Sequence, residues 1–157
     1  MRLIALAAVS ALVLSACSQG EEPAPATPAV EPAPMLAGVD LGKPVRALGT
    51  EPFWSIELTG TEVVYTTPEP PEQRAPQPKP VVQGTTATWE TQTVAGTGLD
   101  ITLVATECSD GMSDRTYPLT AMVRIGETRL SGCAASSAAI MSTGESGPVV
   151  EKAQPPA

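Results

Sequence analysis

Two stretches of the sequence alternate between apolar and polar residues, and this alternation constrains the fold more than any other feature of the chain. In Leu99–Thr106 and in Leu119–Ile125, every second residue is apolar and the residues between them are mostly polar. Successive side chains of a β-strand point to opposite faces, so a period of two predicts half-buried strands. No segment carries the apolar stripe of an amphipathic helix. We therefore expect an all-β domain.

Other segments are rich in β-forming residues and end at turn-forming residues, which also predicts strands. A hairpin is expected where Thr59-Gly60-Thr61 separates two of them. In total we expect about six to eight antiparallel strands. Because the folded part is short, the strands must curl or close to bury one face, as in a small barrel or sandwich. The further expected strands are Arg46–Leu48, as a short edge strand, Phe53–Leu58, Glu62–Thr67, Thr85–Thr93 and Thr128–Cys133.

Segments rich in proline or in small polar residues set the expected limits of the domain. Residues 17–44 are rich in proline, alanine and glutamate and lack apolar periodicity, which predicts a semi-extended tether. Residues 136–157 are small and polar and end in proline, so we expect a disordered tail. The β-domain should then cover 45–135. Within it, residues 68–83 contain six prolines, and proline lacks the ladder donor, so this segment must be a loop or an excursion at a sheet edge.

The N-terminus has the three parts of a secretory signal. Arg2 precedes the apolar run Leu3–Val13, and small residues follow. The run is too short to span a hydrocarbon core of about 30 Å as a helix. Residues 1–16 are therefore expected to be a signal peptide.

The exit from this signal, Leu14-Ser15-Ala16-Cys17, resembles the lipobox of bacterial lipoproteins. The resemblance implies that a diacylglyceryl group joins the Cys17 thiol, that the lipoprotein signal peptidase recognises Leu14, Ser15 and Ala16 and cuts before Cys17, and that the new amine is acylated. An ordinary secretory signal that contains a cysteine remains the alternative. Two or more acyl chains hold a protein stably on a bilayer.

The residue after the cysteine bears on the membrane that would receive the protein. In Gram-negative lipoproteins an aspartate at that position commonly retains the protein at the inner membrane, and this chain has Ser18 there. We therefore expect a protein anchored in the cell envelope through acylated Cys17, at the outer membrane and facing the periplasm.

Charge and composition exclude several classes of function. With 17 acidic and 9 basic residues, the formal net charge is −8. Nucleic acids are also negatively charged, so this charge argues against a nucleic-acid partner. The chain has no histidine, and so lacks the commonest general base and the commonest metal ligand. No nucleophile–base pair and no Gly-x-Ser-x-Gly string is present. We therefore expect that the protein is not an enzyme, has no catalytic residues and binds neither a metal nor another cofactor.

The remaining cysteines, Cys108 and Cys133, form an even pair. In an oxidising compartment such a pair is expected to form a disulfide. Closing a loop of this length stabilises a fold by roughly 3–4 kcal/mol in the chain-entropy model. Two free buried thiols are the alternative.

Three strings of the expected domain resemble a family of bacterial envelope proteins. They are GTEPFWSI (Gly49–Ile56), CSDGMSDRTYP (Cys108–Pro118) and LSGCA (Leu130–Ala134). Members of this family occur as lipoproteins, sometimes beside META-type or lysozyme-inhibitor-type domains. The resemblance implies a small β-domain in which the two cysteines pair, and it implies no catalytic residue. The proline-rich segment at 68–83 departs from the family.

Two of the three strings contain candidate binding residues. In the second string, Asp110 and Asp114 can accept bonds from backbone amides, and Arg115 lies close enough to pair with either. The alternatives are a self-satisfied loop, a recognition loop and a calcium site, although D-x-x-x-D lacks the ligand spacing of an EF-hand. In the first string, Phe53 and Trp54 face opposite sides of a strand, so one fills the core and the other lies under a loop or on the surface. The candidate binding residues are therefore Glu51, Phe53, Trp54, Asp110, Asp114 and Arg115.

These observations favour a binding or accessory protein of the envelope, with another envelope protein as its partner. A lysozyme inhibitor is one specific version. A carrier of a small ligand inside a hydrophobic barrel is another alternative, although about 90 residues favour a filled core. A hydrolase that uses paired carboxylates is the least favoured, because no catalytic set is visible.

Overall fold

The computed structural model describes residues 32–151. The expected signal peptide, the lipobox and the first half of the expected tether therefore lie outside the described residues. None of the helices in the described range is long and apolar enough to cross a membrane. The strands are β1 (Met35–Leu36), β2 (Val39–Asp40), β3 (Val45–Thr50), β4 (Phe53–Leu58), β5 (Glu62–Thr66), β6 (Gln73–Pro76), β7 (Val81–Gln83), β8 (Thr86–Gln92), β9 (Gly98–Val104), β10 (Asp114–Thr116), β11 (Leu119–Ile125), β12 (Thr128–Ser136) and β13 (Ser146–Pro148), and the helix is α1 (Ser137–Ser142).

Nine of the strands form one antiparallel sheet in the order β6-β5-β4-β3-β12-β11-β9-β8-β7. The all-β fold class is thus confirmed. The expected hairpin at Thr59-Gly60-Thr61 joins β4 to β5, with Gly60 at a φ of 99°. The sheet has nine strands rather than six to eight because the proline-rich segment supplies both of its edge strands, β6 and β7.

The sheet curls so that its two edges approach each other. Only residues 77–80 separate the edge strands, and a link of that length spans at most about 17 Å. The N–H of Val94, just beyond β8, donates to the carbonyl of Arg74 on β6 at 2.8 Å. The Thr91 hydroxyl donates to the carbonyl of Pro76 at 2.8 Å. The prolines are tolerated here because an edge strand leaves donor positions unpaired. Of the two alternatives that the sequence left open, a loop or an edge excursion, the structure has the edge excursion.

One strand prediction is wrong. Arg46–Leu48 was expected to form a short edge strand, but β3 is longer and lies in the middle of the sheet, between β4 and β12. Its partner β12 is more than eighty residues away in the chain. A pairing over such a separation leaves no local signal in a short segment, so the sequence could not show that both edges of this strand are used.

The inward faces of the strands form one hydrophobic core. The alternation in Leu99–Thr106 and Leu119–Ile125 is confirmed, since Leu99, Ile101 and Leu103 are fully buried. Trp54 and Trp89 also point inward and are almost fully buried. These side chains all belong to the main core on the inner face of the curl.

A second, smaller cluster lies on the outer face of β12. It joins the disulfide to the C-terminal segment, with Tyr117, Cys133, Ala135, Ala139 and Val149 all buried. Helix α1 begins at its cap Ser136, and β13 pairs in parallel with β10. The expected start of a disordered tail at 136 is therefore wrong as far as 149. Small residues pack here without the periodic apolar pattern that would have indicated structure.

The other expected boundary is also displaced. Residues 35–40, assigned to the tether, form the hairpin β1–β2, and Leu36, Val39 and Leu41 are buried. These three apolar residues join the main core. The folded part thus begins about ten residues before Val45.

Candidate functional site

Parts of the three strings that the sequence analysis singled out, Gly49–Ile56, Cys108–Pro118 and Leu130–Ala134, meet at one cleft although they lie far apart in the sequence. We call it the motif cleft; its volume is about 530 Å³. Its floor is the outer face of β11 and β12, at Thr120 and Ser131. One wall is the turn between β3 and β4, and the other is the loop after β9. The lining residues are Leu48, Gly49, Thr50, Glu51, Cys108, Ser109, Asp110, Gly111, Met112, Thr120, Ser131 and Gly132.

The first wall is shaped by glycine and tryptophan. Trp54 packs inward so close to Gly49 that a Cβ on residue 49 would lie 2.1 Å from the indole Nε1. Phe53, one residue earlier, points the other way and is 55% exposed. The prediction that these two aromatic residues face opposite sides is confirmed. Glu51 lies on the turn before them, exposed at the mouth of the cleft.

The second wall is held to the sheet by the disulfide. Cys108 and Cys133 are bonded, with their Cα atoms 5.5 Å apart, so the predicted pairing is confirmed. Cys108 and Tyr117 also exchange two backbone hydrogen bonds, at 2.9 and 2.8 Å, which close the base of the loop. The walls are linked by the Thr50 hydroxyl, which donates to the carbonyl of Asp110 at 2.9 Å.

Asp110 organises the loop through its carboxylate. Oδ1 accepts from the N–H groups of Met112 and Ser113 at 3.0 and 2.8 Å. Oδ2 accepts from the hydroxyls of Ser113 and Tyr117 at 2.8 and 3.1 Å. Burial alone would raise the pKa of Asp110, but the bonds from Ser113, Met112 and Tyr117 together outweigh it and hold the pKa below its ordinary value. Asp110 therefore stays ionised on the cleft wall.

Arg115 does not pair with either aspartate, so that prediction is wrong. Its Nε donates to the carbonyl of Gly144 at 2.7 Å, and its Nη2 donates to the carbonyl of Thr143 at 3.1 Å. The arginine thus fastens the loop to the C-terminal segment after α1. The sequence did not indicate these partners, because the segment after 136 was expected to be disordered. Only the tertiary structure brings its carbonyls to Arg115.

The structure brings together only some of the predicted site residues. Glu51 and Asp110 line the motif cleft, whereas Trp54 lies beneath it in the core. Asp114 and Arg115 face the C-terminal segment through β10 rather than the cleft. Sequence reasoning missed Thr120 and Ser131 on the floor. Thr120 is one of the residues that alternate with the apolar ones in Leu119–Ile125. This position was the one signal that could have placed it on the outer face.

The cleft does not resemble a metal site. Within residues 32–151, no three acidic or sulfur side chains come together as ligands. The Asp110 carboxylate already accepts four hydrogen bonds from its own loop. Of the three alternatives for residues 108–118, the structure fits best a loop whose polar groups bond to one another. The outer side of that loop remains available to a partner.

Replacing Asp110 with alanine is expected to destabilise the domain in a pH-dependent way. A carboxylate with a lowered folded-state pKa stabilises the fold above about pH 4, and this contribution is lost as the pH falls through the folded-state pKa. We expect a loss of about 1–3 kcal/mol at pH 7. The difference from wild type should shrink below pH 4 in denaturant titrations.

Asp114→Ala is the matched control, because Asp114 is exposed and its side chain makes no hydrogen bond to the described part of the chain. It should change stability by no more than about 0.5 kcal/mol. A cost for Asp110→Ala that is the same at pH 3 and pH 7 would contradict the proposed role of the ionised carboxylate.

No protein-family model, no curated protein and no solved structure matches this chain.

Proposed function

We propose that this chain is a lipid-anchored bacterial envelope protein whose β-domain binds a basic partner protein at the motif cleft. The observation that carries the proposal is the convergence of the three family-like strings on this one surface. Residues that serve only the core would be spread over the inward faces of the strands. Trp54, Ile56, Leu130 and Ala134 of the strings do belong to the core. The other part of each string, at the β3–β4 turn, in the loop after β9 and on β12, lines the cleft on the outside of the sheet.

The chemistry of the cleft supports a basic partner. Glu51 is exposed at its mouth and the ionised Asp110 lies on its wall. None of the residues lining the cleft is basic. Met112, which lines the cleft and is 68% exposed, adds apolar surface to it. A lysine or arginine side chain combines a cationic head with an apolar stem, and it matches both features.

The anchor part of the proposal rests on the lipobox resemblance and agrees with a disulfide, which persists in oxidising compartments. Cells expressing the full-length chain with a labelled fatty-acid analogue should incorporate the label, and the protein should fractionate with the outer membrane. Cys17→Ala should abolish labelling. A wild-type chain that is secreted without label would point to an ordinary secretory signal and refute the anchor.

The binding part is tested by cross-linking in cells. A photo-reactive amino acid at position 112, on the rim of the cleft, should give a discrete cross-linked species with a basic envelope protein. The same amino acid at position 94 is the control, because Val94 is 86% exposed but lies at the meeting edges of the sheet. Glu51→Gln should weaken the product at 112. Identical products from both positions, or no product at 112, would count against the cleft.

The acidity of the cleft favours one specific version of this function, inhibition of a basic lysozyme. Full-length protein in detergent should then slow lysis by at least one member of a lysozyme panel, and Glu51→Gln should relieve the inhibition. Unaltered lysis rates across the panel would reject inhibition and leave binding to another basic protein.

A further inference from the structure

A second groove adjoins the motif cleft on the same outer face of the sheet. We call it the arginine groove; its volume is about 450 Å³. Ser131 lines both depressions, so the two form one continuous surface. The lining residues of the arginine groove are Asp100, Thr102, Met122, Val123, Arg124, Arg129, Leu130 and Ser131.

The charges of the arginine groove are opposite to those of the motif cleft. Arg124 and Arg129 face each other directly on β11 and β12, and Arg124 also forms an ion pair with Asp100 on β9. Glu90 on β8 continues this row beyond Asp100. Within residues 32–151, no carboxylate lies within ion-pair distance of Arg129. Like charges directly opposite on neighbouring strands are destabilising.

Like Arg46 and Lys79, Arg129 has no ion pair within residues 32–151, but it differs from both in lying directly opposite a second arginine. Seventeen acidic residues were available to neutralise it, yet the nearest acid in its row is already paired with Arg124. A negative group from outside the chain would relieve the repulsion between Arg124 and Arg129. The guanidinium fork suits a carboxylate, because it offers two parallel N–H donors.

The geometry points to an extended peptide segment as the ligand, with a basic side chain in the motif cleft and an acidic side chain in the arginine groove. This inference rests on the proposed function and names the chemistry of the partner. Along β11, the two depressions together extend from Thr120 in the motif cleft to Arg124 in the arginine groove, a span of about 13 Å. In an extended peptide, side chains four residues apart lie on the same face at that separation.

The surface between the two ends also suits a peptide. Thr102 and Ser131 present hydroxyls that can bond to peptide groups. Met122, which is 49% exposed, provides an apolar contact midway. The backbone of β11 is paired on both sides, with β9 and with β12, so a ligand must bind through side chains rather than by adding a strand.

The test uses the full-length protein, purified in detergent, and an array of blocked pentapeptides with three randomised middle positions. The array has four classes, defined by the first and fifth residues: basic and acidic, basic and basic, acidic and acidic, and both neutral. The basic-and-acidic class should contain binders at least about tenfold tighter than those of the other three classes. Their affinity should fall as salt is raised.

Variants assign each end of the surface. Arg129→Gln should lower the affinity for the best basic-and-acidic peptides. That affinity should then equal the affinity for singly basic versions, in which the fifth residue is alanine. Lys79→Gln should not change it. Glu51→Gln should weaken both the doubly charged and the singly basic peptides, whereas Glu69→Gln should not. Lys79 and Glu69 lie in the proline-rich segment, outside both depressions.

The outcomes separate this inference from the proposed function. Glu51-dependent binding of basic peptides that is indifferent to the fifth residue and to Arg129→Gln would overturn the inference and leave the proposed function standing. An absence of binding in every class overturns the inference; if cross-linking at position 112 also fails, the proposed function falls with it.

Discussion

Replacing Gly132 with alanine is expected to lower the free energy of unfolding by at least about 3 kcal/mol, more than most overpacking substitutions cost. A Cβ on residue 132 would lie 2.0 Å from the carbonyl oxygen of Leu48 and 2.8 Å from its carbonyl carbon. Both atoms belong to the backbone of β3, so no side-chain rotation can relieve the overlap. Strands β3 and β12 would have to separate just where their pairing ends, at Cys133 and Leu48.

The matched control is Gly98→Ala. Gly98 begins β9, and a Cβ added there meets no atom within 4 Å. Its stability should therefore stay within about 0.5 kcal/mol of wild type. Urea unfolding followed by tryptophan fluorescence measures both variants. If Gly132→Ala unfolded at the same urea concentration as Gly98→Ala, the close approach of β12 to β3 would be refuted.

Removing the disulfide with Cys108→Ser and Cys133→Ser together is expected to cost about 3.5 kcal/mol. The bridge joins residues 25 apart, and opening a loop of that size returns this much conformational entropy to the unfolded chain. The loss of stability should be greatest on the outer face of β12. Cys133 lies in the centre of the small cluster that holds the loop, helix α1 and Val149.

Denaturant titrations with and without reductant measure this effect. Reductant should shift the unfolding midpoint of wild type toward that of the double variant, and it should leave the double variant unchanged. Hydrogen exchange should show faster exchange in 108–118 and 136–149, while β9 and β11 stay protected. A wild-type midpoint that does not respond to full reduction would contradict a stabilising bridge.

The residues that were predicted well are those whose local pattern repeats over several positions. Strands β4 and β11 begin and end where the sequence predicted, because β-forming residues in β4 and an alternating pattern in β11 continue without interruption to a turn. The proline-rich segment was assigned to a loop or to an excursion at a sheet edge for a chemical reason, the missing N–H, which is independent of the rest of the fold. The two cysteines could be paired because they were the only ones left after Cys17.

The errors arose where a partner from elsewhere in the chain decides the structure. Val149 is fully buried whereas the adjacent Val150 is 51% exposed, and no repeated apolar pattern surrounds the two, so nothing nearby predicted the burial of Val149. Arg115 was matched to the nearest carboxylates in the sequence, whereas in the fold it donates to the carbonyls of Thr143 and Gly144. The same holds for the candidate site, because Glu51 and Asp110 share a cleft only since β3 pairs with β12 and the disulfide ties Cys108 to β12.

The sequence by itself thus determined the all-β class, the inward faces of the long strands, the disulfide partners and the exclusion of the prolines from the interior of the sheet. Each of these depends on local periodicity or on the chemistry of single residue types. Only the tertiary structure decided that β3 is central, that the segment to Val149 is ordered and that three distant strings form one cleft beside an arginine groove. These features depend on contacts between residues far apart in the chain, and such contacts leave no pattern in the neighbouring residues.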